Sequence, residues 1–450
     1  MDEVNVIVLA AGQGTRMKSD RPKVLHEIGN APLVVHAIAS AEPLSPARLV
    51  VVTGHGAAEV GRAVAAHAPD AILVEQRERK GTGHAVMQTR AALEGARGDA
   101  IVLYGDTPFI RTDTLREMRA ARERHAVVVL GFEAAEPGRY GRLVTTGETL
   151  DRIVEFKDAT DEERAITLCN SGVICADAGL LFDLLDDVTD DNAAGELYLT
   201  DIVGLARAAG RSCGYVTCDE AETLGINSRP ELAAAEDAFQ ARARQAAMEA
   251  GATLIAPGTV FLSRDTALGR DCVVEPNVVF GPGVTVAPGA RIRAFSHLEG
   301  ASVGPGATIG PFARLRPGAR LEENVHVGNF VEIKKAEIGA GAKVNHLTYI
   351  GDAAIGARTN VGAGTITCNY DGVFKHRTEI GADVFVGSNT MLVAPVRIGD
   401  GAMTATGTVV TQDVPEGAMA VGRARAEIKP GFARRFFDKL RAARAAGGKG

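Results

Sequence analysis

From Leu262 to Ile398 an apolar side chain returns at every sixth position, with three steps shortened to five and one break between Val361 and Ile380. The series runs Leu262, Leu268, Val274, Phe280, Val286, Ile292, Leu298, then Val303, Ile309, Leu315, Leu321, Val327, Ile333, then Ile338, Val344, Ile350, then Ile355, Val361, and finally Ile380, Val386, Leu392, Ile398. An α-helix repeats its apolar face about every 3.6 residues and a strand about every 2, so neither carries this spacing. A parallel β-helix does, because each short strand turns one side chain inward before the chain bends. Gly follows the apolar position at Val303-Gly304, Ile309-Gly310, Ile338-Gly339, Ile355-Gly356, Val386-Gly387 and Ile398-Gly399, as a tight corner would favour. Such coils bury their faces only by stacking, so the stretch is expected to fold as one solenoid.

The first half reads differently. Apolar, β-branched runs recur at residues 4–10, 49–53, 71–75, 100–104 and 126–130, with helix-like segments such as 32–41 and 112–123 between them. This alternation predicts an α/β, Rossmann-like domain whose mostly parallel sheet is covered on both faces. Ligands of such sheets bind at the carboxyl ends of the strands. Ser228-Arg229-Pro230-Glu231 reads as a capping box, and Leu232, Ala235, Phe239 and Ala243 continue as one helical stripe toward a stop at Gly251. The expected organisation is an α/β domain over 1–229, a linker helix over 230–250, and a β-helix domain with its tail over 251–450. In that tail Phe432, Phe436 and Leu440 predict a short docked helix before a basic, frayed end.

A chain of 450 residues holds two or three domains at roughly 100–200 residues each. Its net charge of −7, absence of Trp and 5% aromatic content argue against nucleic-acid binding, which needs a basic face or a stacking platform. The six Cys (169, 175, 213, 218, 272, 368) form no CxxC and have no His at metal-ligand spacing, so zinc is not expected. Met1-Asp2-Glu3 is acidic and no apolar run approaches the ~18 residues that cross a bilayer. The expectation is therefore a reduced, cytoplasmic enzyme with no membrane span, acting on small molecules.

After the first strand comes Leu9-Ala10-Ala11-Gly12-Gln13-Gly14-Thr15-Arg16-Met17, then Pro22-Lys23. Small residues let backbone N–H groups approach a phosphate, a following helix start would favour the anion, and Arg16 and Lys23 add charge. The dinucleotide fingerprint fails, because Met17 stands where its third Gly belongs, and no Gly-Lys-Ser/Thr forms a Walker loop. The string LAAGxGTRM followed by PK resembles the signature of sugar-phosphate nucleotidyltransferases. With Gln76, Gly81-Thr82, Tyr104-Gly105-Asp106, Tyr140-Gly141-Arg142, Glu155-Phe156-Lys157, Asn170-Ser171-Gly172 and Asn227, it is similar in order and spacing to the bacterial bifunctional N-acetylglucosamine-1-phosphate uridyltransferase/glucosamine-1-phosphate acetyltransferase family. The resemblance covers about residues 4–430. It implies UTP as substrate and Mg²⁺ held by Asp106 and Asn227, with Arg16 and Lys23 as catalytic cations on the triphosphate. It implies Leu9, Ala10, Ala11, Gly12, Gln76, Gly81 and Thr82 at uracil and ribose, Tyr104 and Gly105 beside them, and Gly141, Glu155 and Asn170 at the acetylated sugar.

In six-residue form the solenoid is a left-handed parallel β-helix of hexapeptide repeats. Such domains commonly carry acyl-CoA-dependent transferases, but some only hold subunits together, so the fold alone does not decide. The repeats break off between Val361 and Ile380, and the polar, Gly-rich stretch 362–372 reads as a projecting loop. His346 lies two residues past inward Val344, with Arg314, Arg316, Lys334 and Lys335 one or two coils earlier. The blocks GPFARLRPGA, HVGNFVEIKKA, HLTYIGDA and GAGTITCNYDG resemble the same family. That resemblance implies His346 as the base that deprotonates the glucosamine amine. It places Arg316 and Lys334 on the sugar phosphate, and Tyr349 and Asn360 on the sugar. Ala363, Asn369, Tyr370, Ser388, Thr406 and Arg423 would meet acetyl-CoA, Thr406 standing where Ala is usual. It also implies a homotrimer through the β-helix, with sites that draw on neighbouring chains. A second reading keeps the nucleotidyltransferase and makes the β-helix a trimerising scaffold, as in ADP-glucose pyrophosphorylases.

Overall fold

In the computed structural model, which describes residues 3–422 and 426–446, successive residues of the first strand, Val4–Ala10, feed two apolar layers. Ile7 and Leu9 join one buried cluster, and Val4, Val6, Val8 and Ala10 the other. That period-two split is what an all-apolar strand imposes when helices cover both faces of its sheet. The strand order is Cys213–Cys218, Val127–Glu133, Leu168–Asp177, Asp99–Tyr104, Val4–Ala10, Arg48–Thr53, Ile72–Glu75. Only Leu168–Asp177 in that order runs antiparallel to its neighbours. The hairpin Arg142–Thr146/Thr149–Val154 attaches to it through Cys169 and Arg142. The helix Arg229–Glu249 begins with Glu231 N–H donating to Ser228 Oγ at 3.4 Å, but the Glu231 carboxylate caps the N–H of Asn227, at 2.6 Å, rather than that of Ser228.

The chain divides into two compact units, Met1–Gln245 with Leu262–Arg264, and Ala246–Phe261 with Asp265–Gly450. Leu262 was expected to open the six-residue series. It does so: Phe261 pairs with Val279, so buried Leu262 keeps the phase of Phe280, and Gln240 also grips its backbone, the amide donating to the Leu262 carbonyl at 2.7 Å and accepting from its N–H at 2.9 Å.

The second unit is a parallel β-helix with three inward columns. Val274, Ile292, Ile309, Val327, Val344, Val361 and Val386 pair coil to coil along one face. Leu268, Val286, Val303, Leu321, Ile338, Ile355, Ile380 and Ile398 line the second. Phe280, Leu298, Leu315, Ile333 and Ile350 line the third. The repeat does not break at 362. Thr367, 1% exposed, takes the inward place and pairs with Leu392, so the projecting loop is only residues 369–377. The glycines after inward positions also serve differently from expectation. A Cβ on Gly304 would lie 2.4 Å from the Glu322 carbonyl carbon, and one on Gly356 2.4 Å from that of Gly381. These two are needed for coil-on-coil approach, while left-handed backbone at the corners is shared between other glycines, such as Gly283, Gly306 and Gly310, and residues such as Asn277, Asn324 and Asn389.

The tail forms the helix Phe432–Ala445, but every residue of it is exposed and Phe432, Phe436, Phe437 and Leu440 meet no core, so the expected docking does not occur within the described residues. No helix among the described residues is long and apolar enough to cross a membrane. Replacing the fully buried Ile333 by Ala should lower unfolding stability by about 2–5 kcal/mol, read as a lower urea midpoint of the β-helix transition.

Candidate functional site

The first site stands at the carboxyl ends of the central strands. The strand Val4–Ala10 ends into Ala11-Gly12, where a Cβ on Gly12 would meet nothing within 4 Å, leaving that backbone open to a ligand. Gly14, at φ +66°, lies directly over the Lys23 side chain. The expected helix start is only a single 3₁₀ turn, Thr15–Met17, bounded by left-handed Gly14 and Lys18, so no helix dipole aids an anion here. Arg16 stands exposed on that turn and does not line the cleft.

Lys23 opens the short turn Lys23–Leu25. Its ammonium donates to Asp106 Oδ2 and, at 3.1 Å, to Asn227 Oδ1. Asp106 follows the strand Asp99–Tyr104, and its carbonyl accepts from Ile226 N–H at 3.0 Å. Two oxygens from residues far apart in sequence thus converge on one cation. A cleft of about 320 Å³ lies beside them, lined by Leu9, Ala11, Gly12, Lys23, Gln76, Gly81, Thr82, Tyr104 and Asp106. Ala10 points into the opposite apolar layer, and Gly105 lies beneath Leu9 and Val24. Sequence reasoning missed Arg79 and Glu196, which also line the cleft. Arg79 donates to Gln13 at 2.7 Å.

Gly141, Glu155 and Asn170 form one cluster. A Cβ on Gly141 would lie 3.4 Å from Glu155 Oε1 and 3.5 Å from the Asn170 Cβ. Arg142, almost wholly buried, fixes this loop by donating to the carbonyls of Gly138 (3.1 Å), Arg164 (3.2 Å) and Tyr140. Burial raises the Glu155 carboxyl above its ordinary range, with Asp201 and Asp158 adding to it against a 3.3 Å bond from Thr200. Burial likewise holds the Tyr104 phenol protonated, helped by Glu155 and Asp106.

The second site is a corner of the β-helix. Positions two past the inward residue stack there as Asn329, His346, Ala363, Ser388 and Thr406. The coils are tied by N–H bonds from Leu347 to Asn329 (3.2 Å), Gly364 to His346 (3.1 Å), Asn389 to Ala363 (2.7 Å) and Gly407 to Ser388 (2.8 Å). His346 Nδ1 lies 2.9 Å from Asn329 Oδ1. An amide oxygen only accepts, so Nδ1 carries the proton and Nε2 offers its lone pair. Asn329 was not anticipated, though it shares the repeat phase of His346.

Arg316, Lys334 and Gly351 follow the paired inward residues Leu315, Ile333 and Ile350, so they stack on the adjoining face. Arg316 binds Glu332 at 2.7 Å, and the Tyr349 ring lies over Gly351. Asn360 is on a different sheet, paired with Lys343 and Phe385. Asn369 donates to Asp352 Oδ2, and Lys375 packs its ammonium 4.8 Å from the Tyr370 ring. Hydrogen bonds from His376, Phe374 and Val373 hold Asp371 down to about 2. Arg423 lies outside the described residues. Among those described, no three His, Cys, Asp or Glu cluster as a metal site.

Residues 6–170 match the family model of MobA-like NTP transferase domains, and 300–335 and 377–412 match that of bacterial transferase hexapeptide repeats. The chain is 65% identical over 447 residues to the bifunctional protein GlmU of Cereibacter sphaeroides (strain ATCC 17025), covering 99% of this chain and 98% of that one. It is 66% identical to that of Dinoroseobacter shibae over 99% of both chains, and 64% identical to that of Ruegeria sp. (strain TM1040), again over 99% of both.

All six cysteines are free thiols, and burial raises every one of them, Cys213 to about 11 and Cys218 to about 12. A thiol reagent at pH 8 should therefore react slowly with the native protein. Peptide mapping should find Cys218 and Cys368, the two not fully buried, labelled first, and all six only after denaturation.

Proposed function

The chain belongs to the family of bifunctional GlmU proteins, and from that premise we infer two transfers on one polypeptide. The β-helix unit moves acetyl from acetyl-CoA to the amine of glucosamine-1-phosphate. The α/β unit moves UMP from UTP to N-acetylglucosamine-1-phosphate and releases pyrophosphate. The product, UDP-N-acetylglucosamine, feeds cell-envelope polysaccharide synthesis, and these substrates place the enzyme in the cytoplasm. The observation that carries the reading is the convergence of the Asp106 and Asn227 oxygens on one cation at the mouth of a cleft.

Uridylyl transfer asks for alignment of two anions more than covalent chemistry. The sugar-phosphate oxygen attacks the α-phosphorus, and the bond to pyrophosphate breaks. Lys23 and Arg16 serve the triphosphate, Arg16 by turning in from the exposed turn it occupies. Leu9, Ala10, Ala11, Gly12, Gly81 and Thr82 hold the nucleoside, with Gln76 reading the base and Tyr104 and Gly105 flooring the cleft. Gly141, Glu155 and Asn170 hold the acetylated sugar. Two hard oxygens already gathered on one ammonium suit Mg²⁺, which takes few protein oxygens and completes its shell with phosphate and water. Bound by Asp106 and Asn227, it would supply charge neutralisation on the triphosphate.

In acetyl transfer His346 Nε2 takes the proton of the amine. The freed nitrogen attacks the thioester carbon, a C–N bond forms, and the C–S bond breaks to release CoA thiol. Arg316 and Lys334 bind the sugar phosphate, and Tyr349 and Asn360 the sugar. Ala363, Ser388 and Thr406 give pantetheine a continuous ridge beside His346, with Asn369, Tyr370 and Arg423 at the remaining CoA contacts. Asn360 lies on another face from Arg316 and Lys334 within one chain, which supports a homotrimer whose sites combine neighbouring β-helices. Exposed Phe295, Phe312 and Phe330, stacked at 5.0 and 5.3 Å, support the same packing.

His346→Ala should cut acetyl transfer at least about a hundredfold and leave uridylyl transfer intact, while Asp106→Ala should do the reverse. Thiol release with glucosamine-1-phosphate and pyrophosphate release with N-acetylglucosamine-1-phosphate read the two separately. Survival of acetylation in His346→Ala would favour the scaffold reading. Because its folded-state pKa is raised, Glu155 loses its carboxylate at a higher pH than a solvent-exposed glutamate as pH falls. An ionised acceptor is what a sugar hydroxyl or amide N–H needs. KM for N-acetylglucosamine-1-phosphate should therefore climb as pH drops toward the raised value, and Glu155→Gln should flatten that limb.

A further inference from the structure

The large apolar side chains of the tail helix Phe432–Ala445 fall on one side of it. At about 100° per residue, Phe432, Phe436, Leu440 and Ala443 form one stripe with Ala433 and Phe437 beside it, an arc of about 140°. Phe432, Phe436, Phe437 and Leu440 are 53, 47, 52 and 50% exposed. Phe432 stacks on Phe436 with centroids 6.0 Å apart, and Phe436 meets Phe437 edge to face at 5.6 Å. The borders of the arc are cationic: Arg434, Arg441 and Arg444 follow one edge, Arg435 and Lys439 the other. The one acid of the helix, Asp438, falls on the side opposite the arc and pairs with Arg441 at 3.3 Å. The helix is thus strongly basic in a chain whose net charge is −7. Residues 426–431, which lead into it, are exposed and belong to no strand or helix.

We propose that this helix is a peripheral membrane anchor: it lies in the plane of an anionic phospholipid surface, with the apolar arc toward the acyl chains and the bordering cations on the headgroup phosphates. Its 14 residues span about 21 Å, short of the ~30 Å hydrocarbon core but long enough to lie flat. Phe and Leu on one face with Arg and Lys along its edges is the pattern of interfacial helices. The long basic side chains can run along the apolar boundary and raise their charged ends to phosphate, and each cation near an anionic surface adds attraction. A nucleic acid would use the cations but leave four large apolar side chains in water. A second copy of this chain would have to match the arc with an apolar groove and both borders with acids at fixed positions. A lipid surface supplies both without register. The inference concerns where the enzyme sits and is independent of either transfer.

The test is co-sedimentation of the full chain with vesicles of phosphatidylcholine alone and of equal parts phosphatidylcholine and phosphatidylglycerol, with uridylyl transfer as the control for folding. Partitioning should be at least about fivefold stronger on the anionic vesicles and should weaken as salt is raised. Phe436→Glu puts a charge inside the arc and should lower partitioning at least about tenfold, while Phe436→Leu should stay within about twofold of the unsubstituted chain. Glu and Leu are both good helix formers, so the helix itself is not what these variants change. Arg435→Glu combined with Lys439→Glu reverses one border and should also cost at least about tenfold. Equal partitioning on the two vesicle types, or binding retained in Phe436→Glu, would overturn the inference. A Phe436→Glu chain that forms a smaller oligomer in analytical ultracentrifugation, with no vesicle binding by either chain, would overturn it too and assign the helix to a second copy.

Discussion

Hydrogen bonding from coil to coil fixes the phase of every residue in the β-helix unit. Each inward side chain pairs with the inward side chain of the next coil, as Val327 does with Val344 and Val344 with Val361. A slip of one residue would turn a whole column outward. With phase fixed, the position two past the inward residue always reaches the same corner. That is why Asn329, His346, Ala363, Ser388 and Thr406 line up, Asn329 and His346 being joined side chain to side chain as well, at 2.9 Å. The loop 369–377 is absorbed between Val361 and Val386, which still pair, so the ridge continues beyond it undisturbed.

The α/β unit assembles its site by another route, through ties between distant segments. Ile226 N–H on the Asp106 carbonyl and the Glu231 carboxylate on Asn227 N–H bring Asp106 and Asn227 together from distant segments of the domain. Lys23 then bridges the two oxygens from a third segment. A partly buried ion pair of this kind adds little net stability, since desolvation offsets much of the attraction. Its consequence is organisational: the two oxygens are held together at the cleft by the Lys23 ammonium.

The apolar phase was legible because it repeats, and the strand ends were legible because apolar runs mark them. What could not be read has specific causes. Thr367 and Thr404 hold inward places with a polar side chain, and their hydroxyls are satisfied inside the coil by Gly351 N–H at 2.8 Å and Gly387 N–H at 3.0 Å. Hydropathy alone therefore ended the repeat too early. Leu262 keeps the phase read for it, and only the grip of Gln240 on its backbone is announced by no local pattern. The anion loop looked like a helix start, yet left-handed Lys18 closes it after one turn. Asn329 was within reach, because the corner phase that selects His346 selects it one coil earlier.

The same phase argument reaches the neighbouring position. Three residues past the inward column come Phe295, Phe312, Phe330 and Leu347, all in the left-handed region and 46–64% exposed. Left-handed backbone costs about 1 kcal/mol or more for a residue with a Cβ, and four exposed apolar side chains add no burial to offset it within one chain. Asparagine at those corners would be cheaper, as it is at Asn277 and Asn324. A ladder of aromatic residues leading to Leu347, next to His346, makes sense when a second apolar surface covers that corner. The covering that would bury the ladder is also what would shield a thioester lying along the ridge from water. The trimer and the acetyl-transfer site are in that sense one proposal, resting on one column of side chains.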